Sequence, residues 1–201
     1  VERDIMTRSA SIERKTQETT ISLHLDIDGT GRSEINTGIP FLDHMLNSFT
    51  KHGFFDITVK AEGDLEIDAH HTIEDLGLVL GQAVREALGS KSGISRFGSA
   101  FVPMDDALTR VVIDISGRPF LAYNVPSTAS EAGGINVRLF REFFQAVSTA
   151  AGLTIHVSLL SGEEVHHIME SVFKAFGKAL DQATGIDSRQ KGVPSTKGML
   201  A

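Results

Sequence analysis

The chain has 201 residues, 41% of them hydrophobic, enough for a sizeable core in one large domain or two small halves. Lys and Arg number 19 against 26 Asp and Glu, and the formal charge of −7 argues against a broad nucleic-acid surface. The absence of cysteine excludes disulfides, zinc-thiolate centres, iron–sulfur clusters and thiol nucleophiles, favours an intracellular address, and leaves any metal to His, Asp or Glu.

Alternating Ile21, Leu23, Leu25 and Ile27 predict a strand over 19–28, with Asp28-Gly29-Thr30-Gly31 as a hairpin turn. Phe41, Met45 and Phe49 predict a helix over 40–51, followed by a strand at 54–61. A longer helix runs over 71–88 on the stripe Ile73, Leu76, Leu80, Val84 and Leu88, with Gly89 as its stop. The order then repeats: strands at 98–103, 109–116 and 119–125, a helix at 136–151, a strand at 154–160 and a helix at 165–183. The expected fold is α/β, of α+β type. It comprises two duplicated half-domains, each a small mixed sheet with two helices, packed with pseudo-two-fold symmetry. Residues 1–95 and 96–184 form the halves, and 185–201, rich in Gly, Ser and Lys, form a C-terminal arm that is mobile or ordered by ligand; together they make one catalytic domain. No stretch reaches the roughly 18 apolar residues that span a bilayer, and the first twenty residues carry no signal-peptide core. The expectation is no membrane and a cytoplasmic protein, or one of the plastid stroma if a transit peptide has been removed; Met6 is a candidate native start.

The duplication extends to chemistry. The long helix opens with His70, His71 and Glu74 in the first half and with His166, His167 and Glu170 in the second. In HHxxE on a helix, the first His and the Glu share a face, whereas the second His is turned about 100° away, so one motif points at two places. The economical arrangement is cross-pairing: His70, Glu74 and His167 at one metal, and His71, His166 and Glu170 at another. Imidazole and carboxylate without thiolate suit Mn²⁺, Fe²⁺ or Zn²⁺, with octahedral Mn²⁺ favoured where open positions are needed. His44 in the first short helix corresponds to Glu142 in the second half, and both residue types ligate metal well. Paired histidines at a helix start can also be caps or core residues, but the duplication disfavours that. His24 and His156 lie on strand patterns and read as structural; His52, beside a glycine turn, reads the same way on the residues alone but is kept among the substrate-binding candidates. Lys174 continues the stripe of His166 and Glu170 where the first helix has Leu78, which breaks the symmetry and offers an amine for proton or anion handling.

Arg96 in SRFG, Arg118 in SGRP and the cluster Ser195, Thr196 and Lys197 on the arm are anion-binding candidates, because guanidinium, ammonium and hydroxyl donors suit phosphate. Neither GxGxxG nor GxxxxGK[ST] occurs, so a dinucleotide or nucleoside triphosphate is not indicated, and no GxSxG elbow is present.

GIPFLDHML (38–46), DAHHTIEDLG (68–77), SGRP (116–119), HHIMES (166–171) and GVPSTKG (192–198), in this order, resemble the imidazoleglycerol-phosphate dehydratase family from about residue 11 to 200. The resemblance implies dehydration of imidazole glycerol phosphate to imidazole acetol phosphate in histidine biosynthesis, by way of a dimetal-bound imidazolate. It implies two Mn²⁺ per active site and a homo-oligomeric shell of about twenty-four subunits with active sites between them. Carried over by motif, His44, His71, His166 and Glu170 hold one ion, and His70, Glu74 and His167 the other. The family's usual fourth residue there is the His of an HFF sequence, where this chain has Glu142-Phe143-Phe144. The resemblance also puts Glu18, Arg96, Arg118, Lys174, Ser195 and Lys197 at the substrate. Asp105 matches an acidic position, and Asp106 stands where Glu is common. Glu18 is the expected base, with Glu170 or Lys174 handling the proton of the leaving hydroxyl. A dimetal phosphoester hydrolase and a non-catalytic metal-binding oligomer are the alternatives, and phosphate release or binding without turnover would reveal them.

Overall fold

The structure, a computed structural model, describes residues 8–126 and 131–200, so Met6 lies outside the described residues. The first half runs β1 (Ser9–Lys15), β2 (Thr19–Asp26), β3 (Ser33–Asn36), α1 (Pro40–Gly53), β4 (Asp56–Gly63) and α2 (His70–Leu88). The second runs β5 (Phe97–Met104), β6 (Ala107–Asp114), β7 (Phe120–Asn124), a short hairpin of β8 (Glu131–Ala132) and β9 (Ile135–Asn136), α3 (Leu139–Ala151), β10 (Thr154–Ser161) and α4 (Val165–Thr184).

Two four-stranded sheets repeat one topology, ordered β1-β2-β4-β3 and β5-β6-β10-β7, each antiparallel except for its last pair. Register repeats too: Ser9 faces Asp26 as Phe97 faces Asp114. The duplicated mixed α/β fold expected from the sequence is therefore the fold observed. Period-two burial makes each sheet one-sided, so that Ile21, Leu23 and Leu25 enter the core while His24 faces out. His156 faces out of β10 in the same way.

Each long helix lies on its own sheet, α2 against β1 and β2 and α4 against β5 and β6, but the helices pair across the halves, α1 with α4 and α2 with α3. Glycine permits these close crossings: a Cβ at Gly81 of α2 would stand 2.7 Å from the Val147 carbonyl oxygen of α3, and Gly177 of α4 lies against the Phe49 carbonyl of α1. Around the seams, Phe49, Phe140, Phe143, Phe144, Phe173 and Phe176 are fully buried, with Phe144 centred 5.2 Å from both Phe173 and Phe176. One hydrophobic cluster runs through both halves.

Three expectations need correction. The Asp28–Gly31 segment is not a hairpin turn, because β3 pairs parallel with β4 rather than with β2; the loop crosses over β4, whose Asp56 accepts the backbone N–H of Thr30 and Arg32 at 2.7 and 2.9 Å. The strand expected from residue 54 starts at Asp56, since Phe54 takes the left-handed conformation (φ 57°) that ends α1. The helix expected from residue 136 starts at Leu139, because Asn136 belongs to β9 and its side chain accepts the Arg138 N–H in a turn that holds the chain out of the helix. The strands β1 and β3 and the β8–β9 hairpin add to the elements expected.

Candidate metal centre

His44 owes its place to the start of α1. Pro40 occupies the first turn, and Asp43 accepts both the backbone N–H and the hydroxyl of Thr37 at 2.9 and 2.6 Å, which fixes the Gly38–Pro40 entry. The HHxxE motifs open their helices as expected. The Asp68 carboxylate accepts the His70 N–H at 2.7 Å, and Glu164, the N-cap of α4, accepts the His167 N–H at 2.8 Å. In each motif the first His and the Glu meet one turn apart: His70 Nε2 and His166 Nε2 both lie 3.3 Å from an oxygen of Glu74 and Glu170 respectively.

Across the α1–α4 seam, His44 Nε2 also comes within 3.3 Å of Glu170 Oε2. One ligand atom from each of His44, His166 and Glu170 lies within 4.8 Å of the others. Two imidazole nitrogens and a largely buried carboxylate oxygen, with no thiolate, form a donor set that fits Mn²⁺, Fe²⁺ or Zn²⁺. The Phe41 ring packs edge-on against His166 at 5.3 Å and closes the apolar side. Lys174, only 16% exposed, donates to Glu170 Oε1 at 2.7 Å and also reaches Met104 Sδ at 3.4 Å, so it is no solvent-facing lysine. His52, at the end of α1, is held below its ordinary pKa by burial and by the nearby Lys174 and Lys178 ammonium groups.

The second histidine of each motif goes elsewhere. His71 Nδ1 lies 3.0 Å from Asp64 and its Nε2 3.7 Å from Glu18, while His167 Nδ1 lies 2.7 Å from Asp106 and its Nε2 3.4 Å from Asp105. Hydrogen bonds to Asp64 and Asp106 raise the two imidazoles above their ordinary pKa. Thus one chain brings together three of the four ligands expected at one ion, with His71 apart, and only the pair His70–Glu74 of the other set. Glu142 is half-exposed and ion-paired to Arg141 at 3.3 Å, because Phe143 and Phe144 turn into the core beside it. No second group of three close ligands forms within one chain among the described residues.

Glu18 sits at the tip of the β1–β2 hairpin. Thr16 Oγ1 accepts its N–H, and buried Asp75 of α2 accepts from Thr19 Oγ1 at 2.6 Å and from Arg14 at 2.9 Å, fastening the hairpin to the helix that carries His71. Arg96, Arg118, Ser195, Thr196 and Lys197 line a cavity of about 320 Å³ with Met199 and Leu200. Arg96 holds left-handed backbone (φ 71°), donates to both Asp114 oxygens at 2.7 and 3.1 Å, and donates to the Pro194 carbonyl at 2.9 Å. The arm is fastened further by Gly93 N–H to Gly192 O at 2.9 Å. Asp64 and Asp114 escaped the sequence reading, since neither shares a periodic face with the residue it holds.

Fold and site together define an α/β protein with a histidine–carboxylate centre, assembled from both halves of a duplication, that is equipped for a divalent cation. A model of the family "Imidazoleglycerol-phosphate dehydratase" matches residues 37–180. The chain is 56% identical over 195 residues to the imidazoleglycerol-phosphate dehydratase of Acetivibrio thermocellus and 57% identical over 195 residues to that of Geobacter sulfurreducens, in both cases covering 97% of this chain and 100% of the relative. The crystal structure of the Staphylococcus aureus enzyme superposes with a TM-score of 0.81 at 38% identity, covering 89% of this chain and 99% of that one. That of the Pyrococcus furiosus enzyme gives 0.82 at 40%, covering 94% and 100%. The chain belongs to the imidazoleglycerol-phosphate dehydratase family, and the resemblance drawn from its motifs is borne out, as is the expectation of a carbon–oxygen lyase. No helix among the described residues is long and apolar enough to cross a membrane.

Proposed function

We propose that the chain catalyses the dehydration of imidazole glycerol phosphate to imidazole acetol phosphate in histidine biosynthesis, with two Mn²⁺ per active site, in a large homo-oligomer whose sites form between subunits. The observation that carries this reading is the meeting of His44, His166 and Glu170 across the α1–α4 seam, in a chain whose relatives bear that enzyme's name. His44, His166 and Glu170 take one ion, with His71 supplied by a neighbouring subunit. His70 and Glu74 take the other, with His167 and Glu142. The division into halves 1–95 and 96–184 and an arm 185–201 belongs to the same reading.

Bound divalent cations supply Lewis-acid polarisation of the imidazole ring. The chain's own residues supply the rest. Arg96, Arg118, Ser195, Thr196 and Lys197 bind the phosphate with charge-assisted hydrogen bonds and so orient the substrate. Glu18, about half exposed at its hairpin tip, takes the proton from the carbon next to the carbinol. Lys174 and Glu170 form the proton-handling pair at the leaving hydroxyl, which departs as water; the resulting enol tautomerises to the ketone. Asp105 stands beside His167, and His52 beside Lys174, at the margin of this chemistry.

The test compares chelated protein with Mn²⁺-reconstituted protein, reading imidazole acetol phosphate and inorganic phosphate. Metal-dependent ketone without phosphate release supports the reading, and phosphate release would replace it with ester hydrolysis. Metal binding without turnover would leave a non-catalytic oligomer. Normal turnover by Glu18→Gln would remove Glu18 as the base.

A further inference from the structure

We infer that Asp64 and Asp106, outside the expected ligand and substrate sets, are positioning residues. Each holds the Nδ1–H of the second histidine of one HHxxE motif and thereby presents that histidine's Nε2 as the ligating atom. The inference rests on the metal reading above and deepens it.

The geometry is the same in both halves. His71 Nδ1 lies 3.2 and 3.0 Å from the two oxygens of Asp64, and His167 Nδ1 lies 2.7 Å from Asp106 Oδ1. A carboxylate only accepts, so Nδ1 must carry the proton, and neutral imidazole then has its lone pair on Nε2. The three other motif histidines also turn Nε2 toward a carboxylate, His44 and His166 at Glu170 and His70 at Glu74. Five imidazoles thus offer the same nitrogen.

The two orienting carboxylates do not come from equivalent places, and this argues against an incidental neighbour. Asp64 follows Gly63 at the end of β4; by strand register Gly162, just past β10, matches Gly63, so the counterpart of Asp64 is Glu163, whose N–H donates to Asp106 at 2.7 Å while Asp106 itself holds His167. Asp106 precedes β6, in the place that Glu18 holds before β2. The second half keeps a carboxylate residue at that loop position but holds its histidine from the hairpin instead. One hydrogen bond has been built twice from different loops, so the orientation itself is the common requirement.

Each carboxylate is itself held. The Asp64 backbone N–H donates to the Glu18 carbonyl at 3.1 Å, which ties the orientation of His71 to the hairpin of the proposed base. Asp106 Oδ2 accepts the N–H groups of Glu163 and Glu164 at 2.7 and 3.0 Å, leaving Oδ1 for His167. This difference separates the two sites under substitution. Asn at 64 can give its single oxygen to His71 Nδ1–H. Asn at 106 must give its oxygen to the two amides and turn its NH₂ toward His167, which forces the proton from Nδ1 to Nε2 and blocks ligation.

The experiment titrates the full-length metal-free protein and its variants with Mn²⁺, reading free ion by electron paramagnetic resonance, with far-UV circular dichroism as a check of folding. Loss of an orienting carboxylate from a metal-bound histidine weakens metal affinity by about 10- to 100-fold. That loss is expected for Asp64→Ala, Asp106→Ala and Asp106→Asn, with Asp64→Asn staying within a few-fold of the parent. If the folded Ala variants bind Mn²⁺ as tightly as the parent, or if both Asn variants behave alike, the inference is wrong while the metal reading stands. If the parent itself binds no Mn²⁺, the metal reading falls and takes the inference with it.

Discussion

Lys174 Nζ donates to Oε1 of Glu170 at 2.7 Å, leaving Oε2 of the same carboxylate to His44 and His166. Burial pushes Glu170 up, but the hydrogen bond and charge of Lys174, aided by His44, bring its carboxyl below the ordinary range. Lys174 thus keeps Glu170 ionised in a poorly solvated place, ready for a cation on its other side.

Lys174→Met keeps the stem and removes the charge. Turnover of the Mn²⁺-loaded enzyme is expected to fall by about a hundredfold or more, the scale of a lost proton-transfer group. Steady-state assay of the variant checks this, and undiminished turnover would take Lys174 out of the reaction.

Arg96→Lys tests the phosphate end. Lysine cannot reproduce the fork to Asp114 together with the bond to Pro194, and hydrogen bonds to charged groups contribute about 1.5–3 kcal/mol. KM is expected to rise roughly 10- to 100-fold, in line with that energy, while kcat changes less. A variant with the parent KM would place the phosphate elsewhere.

Removal of metal should appear in stability before it appears in structure. A ligand at a hundred times its Kd stabilises the folded state by about 2.7 kcal/mol, and a domain of this size gains about 2–4 °C in Tm per kcal/mol. Chelation should therefore lower the melting temperature by roughly 5–10 °C, reversibly on adding Mn²⁺. A midpoint indifferent to Mn²⁺ would mean that the His44–His166–Glu170 cluster holds no ion in solution.

Asp56 gives a pH dependence away from the metal centre. Burial pushes it up, but the Arg32 and Thr30 amides and the Arg32 guanidinium outweigh that and hold it below its ordinary 3.8. A depressed carboxylate stabilises the fold above its unfolded value, and that contribution fades as pH falls through the folded value. Asp56→Ala is expected to cost about 1 kcal/mol at pH 7, with the gap from the parent closing on acidification below 3.8; urea midpoints across pH measure it.

The central strands and all four helices are legible because their burial is periodic, and the paired HHxxE motifs are legible because duplication repeats them. Apart from the two-residue strands of the β8–β9 hairpin, the missing elements are edge strands. In β1 only Ile12 is buried, and β3 has no fully buried residue, so neither shows an alternation to read. At the site, His44, His166 and Glu170 follow from motif and helix face. The carboxylates that aim His71 and His167 do not, because a hydrogen bond from a loop leaves no spacing in the sequence. Glu142 illustrates the same limit: its two phenylalanine neighbours are fixed by the core, whereas its own carboxylate pairs with the adjacent Arg141, a contact that no periodicity announces.

The crossed pairing of α1 with α4 and α2 with α3 bears on how the chain acquires its shape. Each half lacks the partner helix that would cover its own, so neither is a self-sufficient folding unit despite its ancestry as a repeat. Fragments 1–95 and 96–201 made separately should stay largely unstructured and become ordered on mixing, as one cooperative transition. Newly synthesised chain would then have to wait for α4 before its first half could settle, so the duplication has yielded one indivisible unit rather than two linked ones.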